Sequence, residues 1–183
     1  MKIVWNVDGI QQSKTHCMDP NYAENYQILQ QGIYLLESIS NESYKLKHGI
    51  LESSIGEHFR HIIEHYELFW NGIPNGHIDY DQRKRNPLLE TDRLFAIESM
   101  KHFVSLFQTQ IFEPKNISIS QNYNPTENIP AILSNTNREL LFLLSHTVHH
   151  YAIISILVKL DGGIVSDGFG FSPATLFAKA KQV

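Results

Sequence analysis

Two short clusters of histidine are the part of this sequence best suited to chemistry. Ten of the 183 residues are histidine, and six of the ten fall within residues 58–65 and 146–150. Residues four apart lie on one face of a helix, so His146 and His150 are expected to point together into the protein, whereas His149 falls about 60° away on the polar side. Because neutral imidazole is a common metal ligand, the pair predicts one part of a metal site.

The first cluster supplies candidates for a third ligand. His58, His61 and His65 have the spacing i, i+3, i+7 and occupy a narrow arc beside the apolar face of their helix. One of them, facing the second cluster, would complete a set of three neutral nitrogen ligands and leave positions open for water or substrate. Periodicity places His58 and His65 nearer the centre of the apolar face than His61, so it does not itself select His61.

Two other interpretations of the histidines compete with a three-histidine site. A single inward-facing histidine is more often a hydrogen-bonded core residue than a ligand, but two histidine-rich turns on separate amphipathic helices favour a metal. A carboxylate-bridged di-iron bundle would need Glu-x-x-His on two helices. No glutamate in this sequence has a histidine three residues later, which argues against that site.

Composition excludes several classes of partner and site. The formal net charge is −4 and the isoelectric point is near 6.2, so the chain has no basic excess for nucleic acid. Cys17 is the single cysteine, which excludes internal disulfides and thiolate-rich zinc sites and agrees with a reducing compartment. We expect a cytoplasmic protein without a membrane partner, because the N-terminus lacks signal-peptide features and no apolar run approaches the roughly 20 residues that span a bilayer.

Apolar periodicity predicts four long helices in a single all-α domain covering residues 1–183. A short alternating run at residues 117–120 is too brief to define a sheet. The four helices and a short C-terminal one are expected at about residues 22–47, 54–70, 91–112, 134–160 and 172–181.

Capping residues support the ends of these helices. Ser54 and Glu57 have the spacing of a capping box at the start of the second helix. Thr91 is the expected cap of the third helix, and Ser134 or Asn135 that of the fourth. A Gly-Gly pair after Asp161 should end the fourth helix, and Ser172 followed by Pro173 should begin the last one.

Three segments resemble the DinB and YfiT-like family of metal-binding bundles. They are Ser-Ile-Gly-Glu-His-Phe-Arg-His-Ile at 54–62, His-Thr-Val-His-His at 146–150 and Phe-Gly-Phe-Ser-Pro-Ala-Thr at 169–175. The resemblance covers most of the chain and implies an up-and-down four-helix bundle, often a homodimer. One departure is Tyr151-Ala152, where many members place Arg-Gly after the last histidine, so any role of that arginine does not carry over.

The resemblance also implies a ligand set. Carried over residue by residue, it assigns His61, His146 and His150 as ligands of nickel, zinc or a similar divalent ion. His58 and His65 then remain as alternate ligands or as groups that orient the ligands. Glu57 or Glu64 could orient a ligand imidazole, although a solvated carboxylate on the helix surface is the more common situation.

The resemblance says less about the reaction. Characterised relatives include thiol S-transferases and isomerases that use a low-molecular-weight thiol, in which the metal is thought to lower the pKa of a bound thiol or water. We therefore expect a divalent-metal-dependent enzyme acting on a small molecule, an S-transferase with a thiol cosubstrate or a hydrolase, with no catalytic residue assigned. The alternative is a noncatalytic, stress-associated or ligand-binding bundle in which the histidines support the fold.

A basic segment offers a further candidate site. Arg83 and Arg85, with Tyr80 close by, could bind an anionic group of a substrate, because guanidinium groups match carboxylates and phosphates. A run of charges is more often a solvated loop.

Overall fold

The computed structural model of this protein describes residues 20–49, 51–110, 113–121 and 129–181. The described part is mostly helical, with seven helices and three short strands. Residues 1–19, among them Cys17, lie outside it. The helices are α1 (Pro20–Ser38), α2 (Asn41–Lys45), α3 (Ile55–Gly72), α4 (Leu88–Thr91), α5 (Arg93–Thr109), α6 (Thr136–Leu160) and α7 (Pro173–Ala180). The strands are β1 (His77–Asp79), β2 (Asn116–Ser120) and β3 (Ile132–Asn135).

A three-stranded sheet corrects the expectation of an all-α protein. β2 lies in the middle, parallel to β1 and antiparallel to β3, with Ile119 opposite both Ile78 and Ile132. The alternating run at 117–120 is therefore a real strand. The other two strands were missed because segments of three and four residues are too short to show a period of two, and their partners are distant in sequence.

The first predicted helix is divided in two. α1 ends at Ser38, and Ser40 has an extended backbone, with φ of −80° and ψ of 164°, while its hydroxyl accepts a hydrogen bond from the Ser43 amide. Ser40 thus caps the short α2, whose Tyr44 is fully buried. The apolar pattern continues through Ile39, which is why periodicity alone predicted one helix to residue 47.

The predicted start of α3 is confirmed. The Ser54 hydroxyl accepts from the Glu57 amide, and the Glu57 carboxylate accepts from the Ser54 amide, which completes the capping box. Close packing fixes α3 against α4, because a Cβ at Gly56 would lie 2.2 Å from the Glu90 carbonyl oxygen. This approach brings Glu90 within 2.7 Å of Arg60 Nε on α3.

The ends of the later helices agree with the predictions in most places. Asn135, one of the two expected caps, caps α6, which ends at Leu160 as predicted, and Ser172 caps α7. Thr91 is not the cap of α5: it closes the unpredicted α4, and the Asp92 carboxylate accepts from two amides of α5 instead. The described part of α5 ends at Thr109, and the last two residues of its predicted range, 111 and 112, lie outside the described residues.

The four long helices position the histidine clusters. α1 packs against α5 and α6, and α3 packs against the same two helices, around one apolar core. Both histidine clusters lie on helices of this group, the first on α3 and the second on α6, and these two helices are in contact.

Among the described helices, α6 alone has the length and apolar composition of a membrane span. A core helix of a globular protein has the same properties, and the buried residues of α6 include Leu143, Ile154 and Leu157. The length of α6 is therefore weak support for a membrane, and the absence of a membrane partner stays a prediction.

Candidate metal centre

Contact between α3 and α6 brings imidazoles from both helices to one place. His61 Nε2 lies 3.1 Å from His146 Nε2, and His150 Nε2 lies 3.2 Å from the same atom. The ring centroids of His61 and His150 are 4.7 Å apart. The prediction that a histidine of residues 58–65 meets the pair on the later helix is therefore confirmed, and His146 is the central member.

His65 forms a second close arrangement with two of these residues. Single nitrogen atoms of His61, His65 and His146 all lie within 4.8 Å of one another. His65 is buried, and its Nδ1 donates to the His61 carbonyl oxygen over 2.8 Å, which leaves the lone pair on Nε2. A ligand imidazole is commonly oriented by such a bond. Four histidines are thus grouped around a shared position.

His58 lies at the edge of this group. Its Nδ1 is 2.9 Å from His150 Nδ1, and its Nε2 is 3.0 Å from the Ser53 hydroxyl. These contacts make His58 a neighbour that holds the outer edge of the His150 ring. His149, by contrast, is exposed, as its position on the helix predicted.

Aromatic rings cover the inner side of the group. Tyr80 stacks on His65 with ring centroids 5.4 Å apart, and Phe142 stacks on His146 at 5.5 Å. The Tyr80 hydroxyl donates to the buried Glu139 carboxylate over 3.0 Å. Phe142 was missed from sequence, although its position four residues before His146 on the same helix is a signal that could have identified it.

A network of charged residues lies on the other side of His61. The Arg83 guanidinium donates to His61 Nδ1, and Arg83 Nη1 is 3.9 Å from a Glu64 carboxylate oxygen. Glu64 also accepts from Arg60 Nη1, at 3.1 and 3.2 Å, and from the Asn86 amide at 3.2 Å. These bonds join α3 to the loop that follows β1.

The two glutamates considered from sequence have different roles. Glu57 serves the capping box and forms an ion pair with Lys47 at 2.8 Å, so it does not contact the histidines through any of these bonds. The interpretation of Glu64 as a solvated surface carboxylate is wrong, since its side chain is 3% exposed and faces Arg60 and Arg83.

The three residues proposed for anion binding also lie in different environments. The Tyr80 hydroxyl is occupied by a carboxylate, so it does not offer its proton to a substrate anion in this arrangement. Arg85 is exposed. Tyr80 contacts the histidine group by stacking on His65, whereas Arg83 contacts it through a hydrogen bond to His61. Binding of an anion by Arg83 stays a prediction.

Burial keeps the clustered imidazoles neutral. Desolvation, followed by repulsion from nearby cationic groups, lowers the pKa of His146 to about 3 and that of His150 to about 3. Desolvation likewise lowers the pKa of His65 to about 4 and holds the pKa of His61 well below its usual value. The neutral ring is the form that binds metals, so no proton has to be removed near neutral pH.

The two close contacts of His146 Nε2 have the lengths expected for ligands of one divalent ion. Nitrogen–metal bonds of 2.0–2.1 Å give nitrogen–nitrogen separations of about 3.0 Å at right angles and about 3.4 Å in a tetrahedron, which brackets the contacts made by His146 Nε2. Each ring nitrogen of a neutral imidazole carries either one hydrogen or one lone pair. His146 Nε2 can therefore form a hydrogen bond with only one of the two imidazole nitrogens beside it. A cation bound to His146 Nε2 and to a neighbouring imidazole nitrogen would replace the contact that a hydrogen bond cannot satisfy.

The lowered pKa values predict acid sensitivity of the metal-free protein. In the unfolded chain these histidines titrate near their usual value of about 6.5. Below that pH the unfolded chain binds more protons than the folded one, so stability falls as the pH drops through 6.5 toward 4. We expect a lower urea midpoint at pH 5 than at pH 7 in the presence of a chelator. Equal midpoints at the two pH values would contradict this assignment.

Comparison with known proteins adds little to this geometry. No family profile matches the chain. A curated protein of Rhizopus delemar, named FK506-binding protein 5, is 32% identical over 112 residues, which cover 57% of this chain. The chain spans 28% of that relative's length, so the relative's name does not identify the family or activity of this chain.

Proposed function

We propose that His61, His146 and His150 bind a divalent metal ion, nickel, zinc or a similar one, and that the protein is a metal-dependent enzyme. The observation that carries the proposal is the position of His146 Nε2, within 3.1 and 3.2 Å of two other imidazole nitrogens. Three neutral ligands leave coordination positions for a substrate, as in open catalytic sites. The acceptor substrate would be a small molecule.

His150 is preferred to His65 as the third ligand because its contact with His146 has a length that two ligands of one ion can have. Two nitrogens that share one ion cannot be more than about 4.2 Å apart, twice the bond length. His150 Nε2 is 3.2 Å from His146 Nε2, which is within this limit. The nitrogens of His61, His65 and His146 lie within 4.8 Å of one another. The DinB-like resemblance of residues 146–150 supports the same choice. His65 remains the alternate ligand.

The family and architecture also belong to this proposal. We infer a DinB and YfiT-like chain whose four long helices form an up-and-down bundle, with the small sheet as an addition. The packing of α1 and α3 against α5 and α6 supports this arrangement. The family's usual homodimer, a single domain over residues 1–183 and a cytoplasmic location are proposed with it.

Several residues of this chain would have distinct roles at such a site. When bound, the ion would act as a Lewis acid that lowers the pKa of a thiol or a water molecule. Phe142 and Tyr80 stack on the rings of His146 and His65 and shield that side from water. His58 holds the outer nitrogen of His150, and the Ser53 hydroxyl holds His58. These roles suit an S-transferase with a low-molecular-weight thiol, or a hydrolase.

A noncatalytic, stress-associated or ligand-binding bundle is the second candidate. The observation that favours it is that several ring nitrogens already have protein partners, namely Ser53 for His58, His58 for His150 and Arg83 for His61. In that case the polar cluster would stabilise the contact between α3 and α6 without turnover.

Metal-dependent stability separates a binding site from a purely structural cluster. A ligand present at 100 times its dissociation constant stabilises the folded state by about 2.7 kcal/mol, which for a chain of this size raises Tm by roughly 5–10 °C. We expect zinc, cobalt(II) or nickel to raise the Tm of tag-free protein, a chelator to reverse the rise, and elemental analysis to find one ion per chain. An unchanged Tm together with no stoichiometric metal would remove the enzyme proposal.

Turnover is the next test. The metal-loaded protein would be screened with small thiols against electrophilic acceptors, and with ester substrates that need only water. Thiol consumption that stops on chelation would support the S-transferase. Metal binding without turnover of any substrate would favour the noncatalytic candidate.

A further inference from the structure

Arg83 is a guanidinium beside the histidine group whose ion pair, with Glu64, is long. Its side chain is 22% exposed, and its hydrogen bond is to His61 Nδ1, a neutral acceptor. In the described part of the chain Arg83 pairs with Glu64, whose carboxylate is 3.9 Å from Arg83 Nη1 and already accepts two contacts from Arg60 and one from the Asn86 amide. The strongest ion pairs of this network therefore belong to Arg60.

The hydrogen bond from Arg83 to His61 must break before His61 Nε2 can bind a metal ion. A guanidinium only donates hydrogen bonds, so His61 Nδ1 must carry the ring's lone pair and Nε2 must carry the hydrogen. A neutral imidazole that binds metal through Nε2 has its hydrogen on Nδ1 instead. When His61 becomes a ligand, Arg83 loses this acceptor and is left at the edge of the site.

Charge balance indicates what would replace the lost acceptor. Around Arg83, the carboxylates of Glu64 and Glu90 are balanced by the guanidinium groups of Arg60 and Arg83. Three neutral imidazoles would leave both charges of a divalent ion uncompensated. An anionic group would therefore be attracted both to the open coordination position and to Arg83.

We propose that Arg83 binds an oxyanion of the substrate, a carboxylate or phosphate group, beside the metal ion. This inference rests on the proposed function, because the acceptor of Arg83 is lost only when His61 binds a metal. It makes Arg83, rather than Tyr80 or Arg85, the residue that selects anionic substrates.

The test uses the full chain loaded with cobalt(II), whose visible absorption reports changes at the metal. Acetate and methylphosphonate serve as separate probes for carboxylate and phosphate. Arg83→Gln should lower the affinity for the more tightly bound probe by about tenfold or more, as expected for a lost charge-assisted hydrogen bond. Arg83→Gln should also bind cobalt(II) at least as tightly as the wild type, because a competitor for His61 and a nearby positive charge are both removed.

Lys84→Gln is the matched control, because it removes the same charge from an exposed neighbouring residue. It should change probe affinity by less than about twofold, as expected for a screened surface charge. Equal probe affinities in wild type and Arg83→Gln, or equal losses in the two variants, would overturn this inference while leaving the metal site intact. Failure of the wild type to bind cobalt(II) would overturn the proposed function and this inference together.

Discussion

His146→Ala is expected to abolish stoichiometric metal binding and to lower affinity by more than about 100-fold. His146 Nε2 is the atom that contacts both His61 Nε2, at 3.1 Å, and His150 Nε2, at 3.2 Å. Its removal leaves two imidazoles and takes away the ring that lies between them. Loss of a group that only orients a ligand already costs about 10- to 100-fold, so loss of a ligand should cost more.

His149→Ala is the matched control for this prediction. His149 is three residues away on the same helix and exposed, so its removal should leave metal affinity within about twofold of the wild type. Affinity would be measured by competition with a chromophoric chelator. His146→Gln, which keeps much of the side-chain volume, should lose the metal as well, and far-ultraviolet circular dichroism would show that each variant is folded. Metal binding by folded His146→Ala at wild-type affinity would contradict the site.

The sequence was sufficient to predict the parts of this site that depend on helical periodicity. The i, i+4 spacing of His146 and His150 predicted a shared face, and their nitrogens are 3.2 Å apart. The exposure of His149 followed from the same geometry. The capping box of Ser54 and Glu57 fixed the start of α3 correctly, because both partners lie within four residues. Local rules suffice where the interacting groups are near in sequence.

Features made by distant residues were not predictable in the same way. Glu64 has the sequence context of a surface carboxylate, and only the return of the loop containing Arg83 and Asn86 buries it. That loop is in turn held by β1, whose three residues pair with β2 about forty residues later. No periodic signal marks so short a strand. From sequence alone, Arg83 therefore resembled part of a solvated charge run, whereas in the structure it lies beside His61.

The selection of His61 shows how a resemblance and periodicity can disagree. Periodicity placed His65 nearer the core than His61, and His65 is indeed buried whereas His61 is only partly so. Burial, however, is not what a ligand of an open site needs. His61 Nε2 lies 3.1 Å from His146 Nε2, and the choice of His61 as a ligand, which the DinB-like resemblance implies, stays a prediction.

Alanine variants of His150 and His65 should differ strongly in metal affinity. We expect His150→Ala to lower metal affinity by more than about 100-fold and His65→Ala to lower it by about tenfold or less, measured under identical conditions. His150 presents Nε2 directly to His146, whereas His65 Nδ1 donates to the His61 carbonyl and its ring supports the site from the buried side. Removing such a support costs less than removing a ligand.

The reverse order of effects would assign the ion to His61, His65 and His146, the group whose nitrogens lie within 4.8 Å of one another. Equal, large losses in both variants would instead indicate four imidazole ligands. Because four protein ligands close a tetrahedral zinc site, that result would favour a structural ion over a catalytic one. The two alanine variants thus test the identity of the third ligand, and with it whether the centre keeps the open position that an enzyme requires.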